Sequence, residues 1–404
     1  MKFTKLSLIA AIAVTTAMAG DAKIGGDAKL FYGTGDAGTA NFFDQASSFG
    51  DSALRLDYTR NVGNGVTLNA GITGVSTLGL ENELVGDTWM AHDGRTPVLN
   101  TATQNGVTPT PLRDTVWLDT ANIAVNMGKT TAVVGRQELD TPFFKSEKWN
   151  IATNTFDAAV LVNQDIEDTT LVGAWVGRGN GTSGKTVDVR GENFAGGMHG
   201  FGGDHPAYAV GAITTAIPMT KLQVWGYKIP SVATAQWVQA DIAATKEVSV
   251  GLQYAGAKLT TTADKTSAVA AKLGYATGPL SVSAAYSKRD DKAGIDIANI
   301  ATGHTSGSES NLYTEAYWNY GLVGAQGAKA FKVAAGYDLG SVNLGLAYVN
   351  SDATGTANDL KEAALTVSTK VGPLNADVAL INQTVGTASS SNTALVMLTA
   401  PFSL

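Results

Sequence analysis

The amino-acid sequence predicts an all-β fold, a transmembrane antiparallel β-barrel of about 18 strands with short periplasmic turns and long external loops. Three observations support this fold class. Polar and apolar residues alternate with a period of two over segments of about ten residues, as in membrane-crossing strands. Short connections with turn-forming residues alternate with long polar ones. After residue 19 there is no apolar run near the ~20 residues that a spanning helix needs.

The N-terminal residues have the pattern of a secretory signal peptide. Lys2 and Lys5 form a basic start, Leu6 to Val14 an apolar stretch, and Ala17 to Ala19 a small-residue cleavage site. We expect residues 1–19 to be removed and residues 20–404 to form one barrel in the bacterial outer membrane, surrounded by its lipid.

Composition narrows the possible partners and the sources of stability. The 404-residue chain has a formal net charge of -7, which argues against a nucleic-acid partner. It has no cysteine, so no disulfide can stabilise an exported fold. Barrel closure and the backbone hydrogen bonds must supply that stability.

The clearest strands lie in the C-terminal half. Val248, Val250, Leu252 and Tyr254 alternate with Glu247, Ser249, Gly251 and Gln253. The polar face consists of small and charged residues, which suit a watery lumen better than a packed core.

Strand number follows from parity. Nineteen runs resemble strands, but bacterial single-chain barrels have even counts and all short turns at one end. If residues 311–319 formed a full strand, the short Gly340-Ser341 turn would lie at the external end of the barrel and the long 350–360 loop at the periplasmic end. We therefore assign 311–319 to an external loop, which leaves 18 strands and an aqueous channel.

Asp119 interrupts the pattern of the first half. In strict alternation it shares a face with Ile123 and Val125, which would place a charge among lipid-facing residues. A charge is costly there, so we expect Asp119 to lie at the barrel rim or beside a β-bulge.

The segment from Gly135 to Phe144, GRQELDTPFF, resembles the OprD-like outer membrane porins, including the major porins of epsilonproteobacteria. In that family a similar motif ends a strand that enters the constriction loop. The resemblance implies a passive channel, usually a homotrimer, for small hydrophilic or anionic solutes. Family members usually end in an aromatic residue that the barrel-assembly machinery reads, whereas this chain ends in Leu404.

The resemblance also implies that the loop near 137–152 folds inward and narrows the pore. Its charged residues are candidates for the constriction, and basic or acidic residues on the polar register are candidates for the facing wall. The loop set is Glu138, Asp140, Lys145, Glu147 and Lys148. The wall set is Arg55, Asp57, Lys272 and Lys332, together with Arg136, which lies in a strand whose register the sequence does not fix. Rings of basic side chains favour anions. The alternative is that these are scattered lumen charges that only wet the interior.

The other motifs in the sequence give weaker evidence of function. The segment 179–186, GNGTSGKT, matches a phosphate-binding loop, but the residues after it do not form the required helix. The four histidines lie in predicted loops without metal-ligand spacing. No catalytic set is evident, so we expect neither an enzyme nor a cofactor.

These observations favour an outer-membrane porin through which small hydrophilic solutes and ions diffuse. Two alternatives remain. A substrate-specific channel would need a continuous ladder of basic wall residues. A surface or adhesion β-protein without a pore would have a solid core and would dissolve without detergent.

Overall fold

In a computed structural model, eighteen β-strands form within residues 22–80, 84–85, 114–181, 197–203, 205–302 and 308–404, which are the residues described below. The expected signal peptide, residues 1–19, lies outside them. Within these ranges no helix is both long and apolar enough to cross a bilayer. The strands are β1 (Lys23–Gly35), β2 (Ser48–Gly63), β3 (Val66–Ser76), β4 (Thr115–Met127), β5 (Thr130–Gln137), β6 (Phe156–Asn163), β7 (Thr169–Gly179), β8 (Ala207–Thr214), β9 (Thr220–Ile229), β10 (Ala233–Ile242), β11 (Val248–Leu259), β12 (Thr266–Thr277), β13 (Leu280–Arg289), β14 (Lys329–Asp338), β15 (Val342–Asp352), β16 (Leu360–Val371), β17 (Leu374–Val385) and β18 (Ser391–Ser403).

The strands form one closed antiparallel barrel. Each pairs with its neighbours in sequence, and β1 also pairs with β18, from Gly25 opposite Ser403 to Gly35 opposite Thr393. The predicted strand number is therefore confirmed. Residues 311–319 form no strand, as parity required.

The barrel wall is apolar outside, whereas its inner face mixes polar and small residues with apolar residues on which the inward loops pack. In β11, for example, Leu252 is 49% exposed on the outer face, while the next residue, Gln253, is 5% exposed and points inward. Exposed Leu30, Val134 and Val333 repeat this pattern around the barrel. Exposing apolar surface to water costs a free energy of about 25 cal/mol per Å². This outer surface therefore fits a lipid environment.

The two ends of the barrel differ in their connections. One end, the short-turn end, has tight turns such as Asn64-Gly65, whose positive φ angles of 53° and 76° match a two-residue hairpin turn. A Cβ atom on Gly65 would lie 2.4 Å from the Asn126 carbonyl oxygen, so glycine is required. The five longest connections leave from the other end, the long-loop end.

A β-bulge in β4 resolves the position of Asp119. Gly71 on β3 pairs with Thr120, and Ile72 pairs with Leu118, so Asp119 is the extra residue. The bulge turns Asp119 into the lumen, where it is buried, and leaves Ile123 exposed on the outer face. The expected bulge is thus confirmed.

Two long loops fill part of the lumen. The β5–β6 loop, residues 138–155, and the described parts of the β13–β14 loop, residues 290–302 and 308–328, are rich in buried side chains. Their apolar residues form two clusters with inward-facing strand residues. The core of the molecule therefore lies inside the barrel, where these loops meet its wall.

Candidate functional site: a constriction built by two loops

Aromatic contacts fasten the β5–β6 loop to the far wall. The Phe143 ring is edge-on to Tyr227 on β9 and Trp237 on β10, with ring centroids 5.4 and 5.7 Å apart. Phe144 packs edge-on against Phe201, at 4.9 Å. Both Phe143 and Phe144 are fully buried. Since β5 and β9 are four strands apart, the loop crosses the lumen rather than extending away from the barrel.

The β13–β14 loop supports the other end of this crossing. Trp149 packs edge-on against Trp318, at 5.8 Å, and lies 5.1 Å from the Tyr320 ring. Trp318 in turn stacks parallel to Phe49 on β2, at 6.5 Å. The two loops and β2 therefore form one aromatic bridge across the lumen.

Glu147 links the two loops through its carboxylate and is not part of an open aperture. Its side chain is buried and accepts hydrogen bonds from Asn299 Nδ2 at 2.8 Å, Thr302 Oγ1 at 2.9 Å and the Glu309 backbone N–H at 3.0 Å. Trp149 Nε1 donates to the other carboxylate oxygen, at 3.0 Å. Such charge-assisted bonds are roughly twice as strong as neutral ones.

Lys145 extends the same junction. Its ammonium pairs with the Glu309 carboxylate and lies 3.4 Å from Asn311 Oδ1, while its carbonyl accepts from Asn299 Nδ2 at 2.9 Å. Asp140 is exposed and forms an isolated β-bridge with Lys145, which closes the tip of the loop into a small hairpin. Lys145 thus links the β5–β6 loop to the β13–β14 loop, and Asp140 faces water.

The Arg55 cluster, Arg55, Asp57, Asp119, Glu138 and Lys148, lies where the β5–β6 loop leaves the wall. Arg55 Nε lies 3.0 Å from Asp57 and 3.3 Å from Asp119, and its Nη1 lies 3.1 Å from Glu138. Lys148 Nζ lies 2.7 Å from the second Glu138 oxygen. Three carboxylates therefore surround two cations.

Water reaches this cluster on one side. The Lys148 side chain is 69% exposed and that of Asp57 is 41% exposed, whereas Asp119 is 5% exposed. Burial raises the pKa of Glu138, but the hydrogen bonds and charges of Lys148 and Arg55 outweigh it, and the pKa lies below its usual value. Glu138 is therefore ionised at neutral pH.

Gly71 makes room for the cluster. A Cβ atom there would lie 2.4 Å from an Asp119 oxygen and 2.9 Å from an Asp57 oxygen. Asp119 is also hydrogen-bonded by the Thr73 hydroxyl from the same strand as Gly71. The bulge and the adjacent glycine together allow a second carboxylate to approach Arg55.

The wall candidates Lys272 and Lys332 both contact the β13–β14 loop. Lys272 Nζ lies 4.6 Å above the Tyr313 ring, and Lys332 donates to the Glu315 carbonyl oxygen at 2.6 Å. Tyr313 also donates to Asp241 on β10, at 2.6 Å. These residues position the second loop against strands β10 to β14.

Arg136 is placed differently from the sequence expectation. It shares the outward register of β5 with exposed Val134 and borders a groove with Leu118 and Trp175, which are also exposed on the outer face. Its guanidinium pairs with Asp157, at 2.8 Å, outside the lumen. The alternation failed here because Val133 and Val134 are both apolar, so the sequence does not reveal which of them faces lipid.

Sequence reasoning also missed the acids that hold the second loop. Glu362, on the inward face of β16, accepts the backbone N–H groups of Tyr317 at 2.6 Å, Trp318 at 3.1 Å and Asn319 at 2.9 Å. Glu315 accepts those of Ser310, Ala316 and Gly321. A signal for Glu362 existed, because it is an acid on the polar register of a predicted strand.

The phosphate-loop match and half of the histidines cannot be placed. Only Gly179 to Gly181 of that motif are described, and residues 182–186, His92 and His304 lie outside the described residues. Gly179, the last residue of β7, forms an isolated bridge with His199 in the β7–β8 loop.

Comparison with known proteins identifies relatives of the fold only. No family model matches the chain, and no curated protein matches it by sequence. Among solved structures, Acinetobacter baumannii OccAB1 superposes with a TM-score of 0.72 at 15% identity, covering 96% of this chain and 98% of that one. Pseudomonas aeruginosa OccK3 (OpdO) gives 0.68 at 16%, covering 96% and 97%. P. aeruginosa OpdK, crystallised with vanillate, gives 0.72 at 13%, covering 96% and 100%. These neighbours are outer-membrane porins of the OprD/Occ group. At such identities, the likeness concerns the fold.

Proposed function

We propose that this chain is an OprD-like outer-membrane porin, a water-filled channel through which small hydrophilic solutes and ions diffuse. One observation carries the proposal. A closed wall that is apolar outside encloses two inward loops, and the β5–β6 loop presents charged residues that water reaches, Lys148 above all. A wall of this kind separates lipid from an aqueous lumen, and inward loops set the width of its narrowest part.

The charges at the constriction favour cations. The Arg55 cluster has three carboxylates to two cations, and Asp57 and Lys148 of this cluster are exposed to water. Since acidic rings select cations, we propose a weak cation preference in place of the anion preference suggested by family resemblance.

A substrate-specific channel is less well supported. Such a channel would need basic groups available to a passing solute, but Arg55, Lys145 and Lys332 each hold an acid or a loop carbonyl. The vanillate in OpdK is a property of that protein. A surface or adhesion protein without a pore would not need apolar side chains exposed around the whole barrel.

The remaining expectations are part of the same proposal. The long-loop end would face the exterior, the chain would be exported by cleavage of residues 1–19, and three barrels would associate into a homotrimer. The barrel-assembly machinery would recognise β18, which contains Phe402 near its end. We propose no catalytic role for the chain.

Single-channel recording in a planar bilayer tests the proposal. Purified wild-type protein should give large, steady conductance steps. In a salt gradient, the sign of its reversal potential should show a preference for cations over anions. Lys148→Gln removes an exposed cation from the constriction and should raise the cation-to-anion permeability ratio by roughly two- to fivefold, since a unit charge about 4 Å away is worth about 1 kcal/mol in water.

Lys370→Gln is the matched control, because it removes the same charge from the short-turn end of β16. It should leave the permeability ratio close to the wild-type value. If folded protein gives no conductance, the chain is not a porin. If the two variants shift the reversal potential equally, the constriction lies elsewhere.

A further inference from the structure

Three charged residues form a row on the outer face of the barrel at its long-loop end. Arg136 on β5 pairs directly with Asp157 on β6, and Asp157 pairs with Arg178 on β7. Arg136 Nε lies 2.8 Å from one Asp157 oxygen, and Arg178 Nη2 lies 2.8 Å from the other. Two guanidiniums share one carboxylate, so the row has an excess positive charge.

A second β-bulge places Arg178 in this row. Asp157 pairs with Arg178 and the next residue, Ala158, pairs with Val176, so Gly177 is the extra residue of β7. Without it, alternation would turn Arg178 into the lumen. The outward position of Arg178 therefore depends on a local feature of the backbone. Its side chain is 58% exposed.

An apolar groove lies directly beside the row. It encloses about 280 Å³ between β4 and β7, and its walls include Leu118, Val134 and the Trp175 ring, with Arg136 at its edge. Trp175 is half-exposed and pairs across strands with Tyr208, which is also half-exposed. Paired outward aromatics mark the level of lipid headgroups in barrels of this kind. The guanidiniums thus lie at headgroup level, and the groove extends toward the acyl chains.

We propose that this outer face binds a phosphate-bearing lipid, whose phosphate lies against Arg178 and Arg136 and whose acyl chain lies in the groove. Guanidiniums bind phosphate oxygens through paired, charge-assisted hydrogen bonds. Basic sites on membrane proteins recognise anionic headgroups by the same chemistry. This inference goes beyond the proposed channel function, because none of these side chains points into the lumen.

Native mass spectrometry of the full chain in a neutral detergent tests the lipid site. Dimyristoylphosphatidylglycerol and dimyristoylphosphatidylcholine, which have identical acyl chains, would be added at equal concentration. The wild-type barrel should retain the phosphatidylglycerol, which is anionic, in preference to the phosphatidylcholine. Arg178→Gln should reduce that preference by roughly fivefold or more, since it removes a charge-assisted contact. The double variant Arg136→Gln/Arg178→Gln should abolish it.

Arg178→Gln leaves Asp157 paired with Arg136, so the barrel should fold, and heat-modifiable gel mobility verifies this. The control is Lys288→Gln/Lys361→Gln, which removes two exposed basic residues from β13 and β16 and should keep the preference. Equal retention of both lipids by the wild type, or equal loss in the control, would overturn the proposal. It would also be overturned if Arg178→Gln dissociated an oligomer of barrels without changing lipid retention, because the row would then be a contact between barrels. Conductance is recorded separately, so failure of the channel proposal is distinguishable from failure of this one.

Discussion

Arg55 on β2 and Asp119 on β4 lie 3.3 Å apart in the lumen, although the strand between them separates their backbones. The contact exists because the β4 bulge turns Asp119 inward and because Gly71 on β3 has no side chain to fill the intervening space. A buried carboxylate is tolerated only when it is paired. The bulge, the glycine and the guanidinium are thus parts of one arrangement.

The first prediction concerns Gly71. Gly71→Ala places a methyl group 2.4 Å from an Asp119 oxygen, and we expect it to destabilise the barrel by about 1–3 kcal/mol, as overpacking does. The control is Gly74→Ala on the same strand, where a Cβ would meet Val116 at an ordinary 3.5 Å. Thermal unfolding in detergent, followed by circular dichroism, should show a lower midpoint for Gly71→Ala alone. Equal midpoints would mean that the cluster adjusts without cost.

The second prediction concerns Glu362. Glu362→Ala leaves the N–H groups of Tyr317, Trp318 and Asn319 without their acceptor, and each buried unsatisfied group costs about 1–3 kcal/mol. We expect the β13–β14 loop to detach from the wall, with larger and noisier conductance steps and faster proteolysis within residues 308–328. Asp377→Asn, at an exposed carboxylate bonded to Ser368, is the control and should behave as wild type. Unchanged steps in Glu362→Ala would show that the aromatic bridge alone holds the loop.

The third prediction concerns the C-terminus. Leu404 is 86% exposed, and its backbone N–H donates to the Ile24 carbonyl oxygen, at 2.9 Å, beside the β1–β18 closure. Leu404→Phe adds an aromatic ring beside the β1–β18 closure, as the resemblance to OprD-like porins suggests, and should speed assembly without changing conductance. The measurement is the fraction of heat-modifiable barrel against time in cells. Leu404→Ile is the control for a change of shape without an aromatic ring, and an equal rate for both variants would contradict the prediction.

The strands could be predicted from sequence because their rule is local. Each strand alternates between lipid and lumen, and closure requires an even number, so both the strand positions and the exclusion of 311–319 follow without knowledge of contacts. Asp119 was predictable for the same reason, since a charge out of register indicates a bulge. Where both faces of a strand are apolar, as at Val133 and Val134, the rule gives no answer. The register of β5 therefore stayed open, and the inclusion of Arg136 among the lumen candidates was wrong.

The arrangement inside the lumen could not be predicted, because it depends on pairs that are distant in sequence. Lys145 with Glu309, and Glu362 with Trp318, are brought together by two loops whose paths the alternation does not describe. Arg55 and Glu138 were recognised as candidates separately. Their contact depends on the β5–β6 loop crossing the lumen, which only the family resemblance suggested.

The last prediction concerns pH. Burial raises the pKa of Glu315, in the β13–β14 loop, to about 8, although three backbone N–H groups favour its charged form. In the unfolded chain this carboxyl ionises near its usual 4.5, so the folded state holds the proton more tightly. Its contribution to stability is full below pH 4.5 and is lost as pH rises through 8. We therefore expect the unfolding midpoint to fall between pH 4.5 and pH 8. Current noise should grow as the pH passes 8, where the folded protein loses this proton. Glu315→Gln keeps a neutral acceptor and should weaken this dependence, whereas an identical pH profile in the variant would assign it to another group.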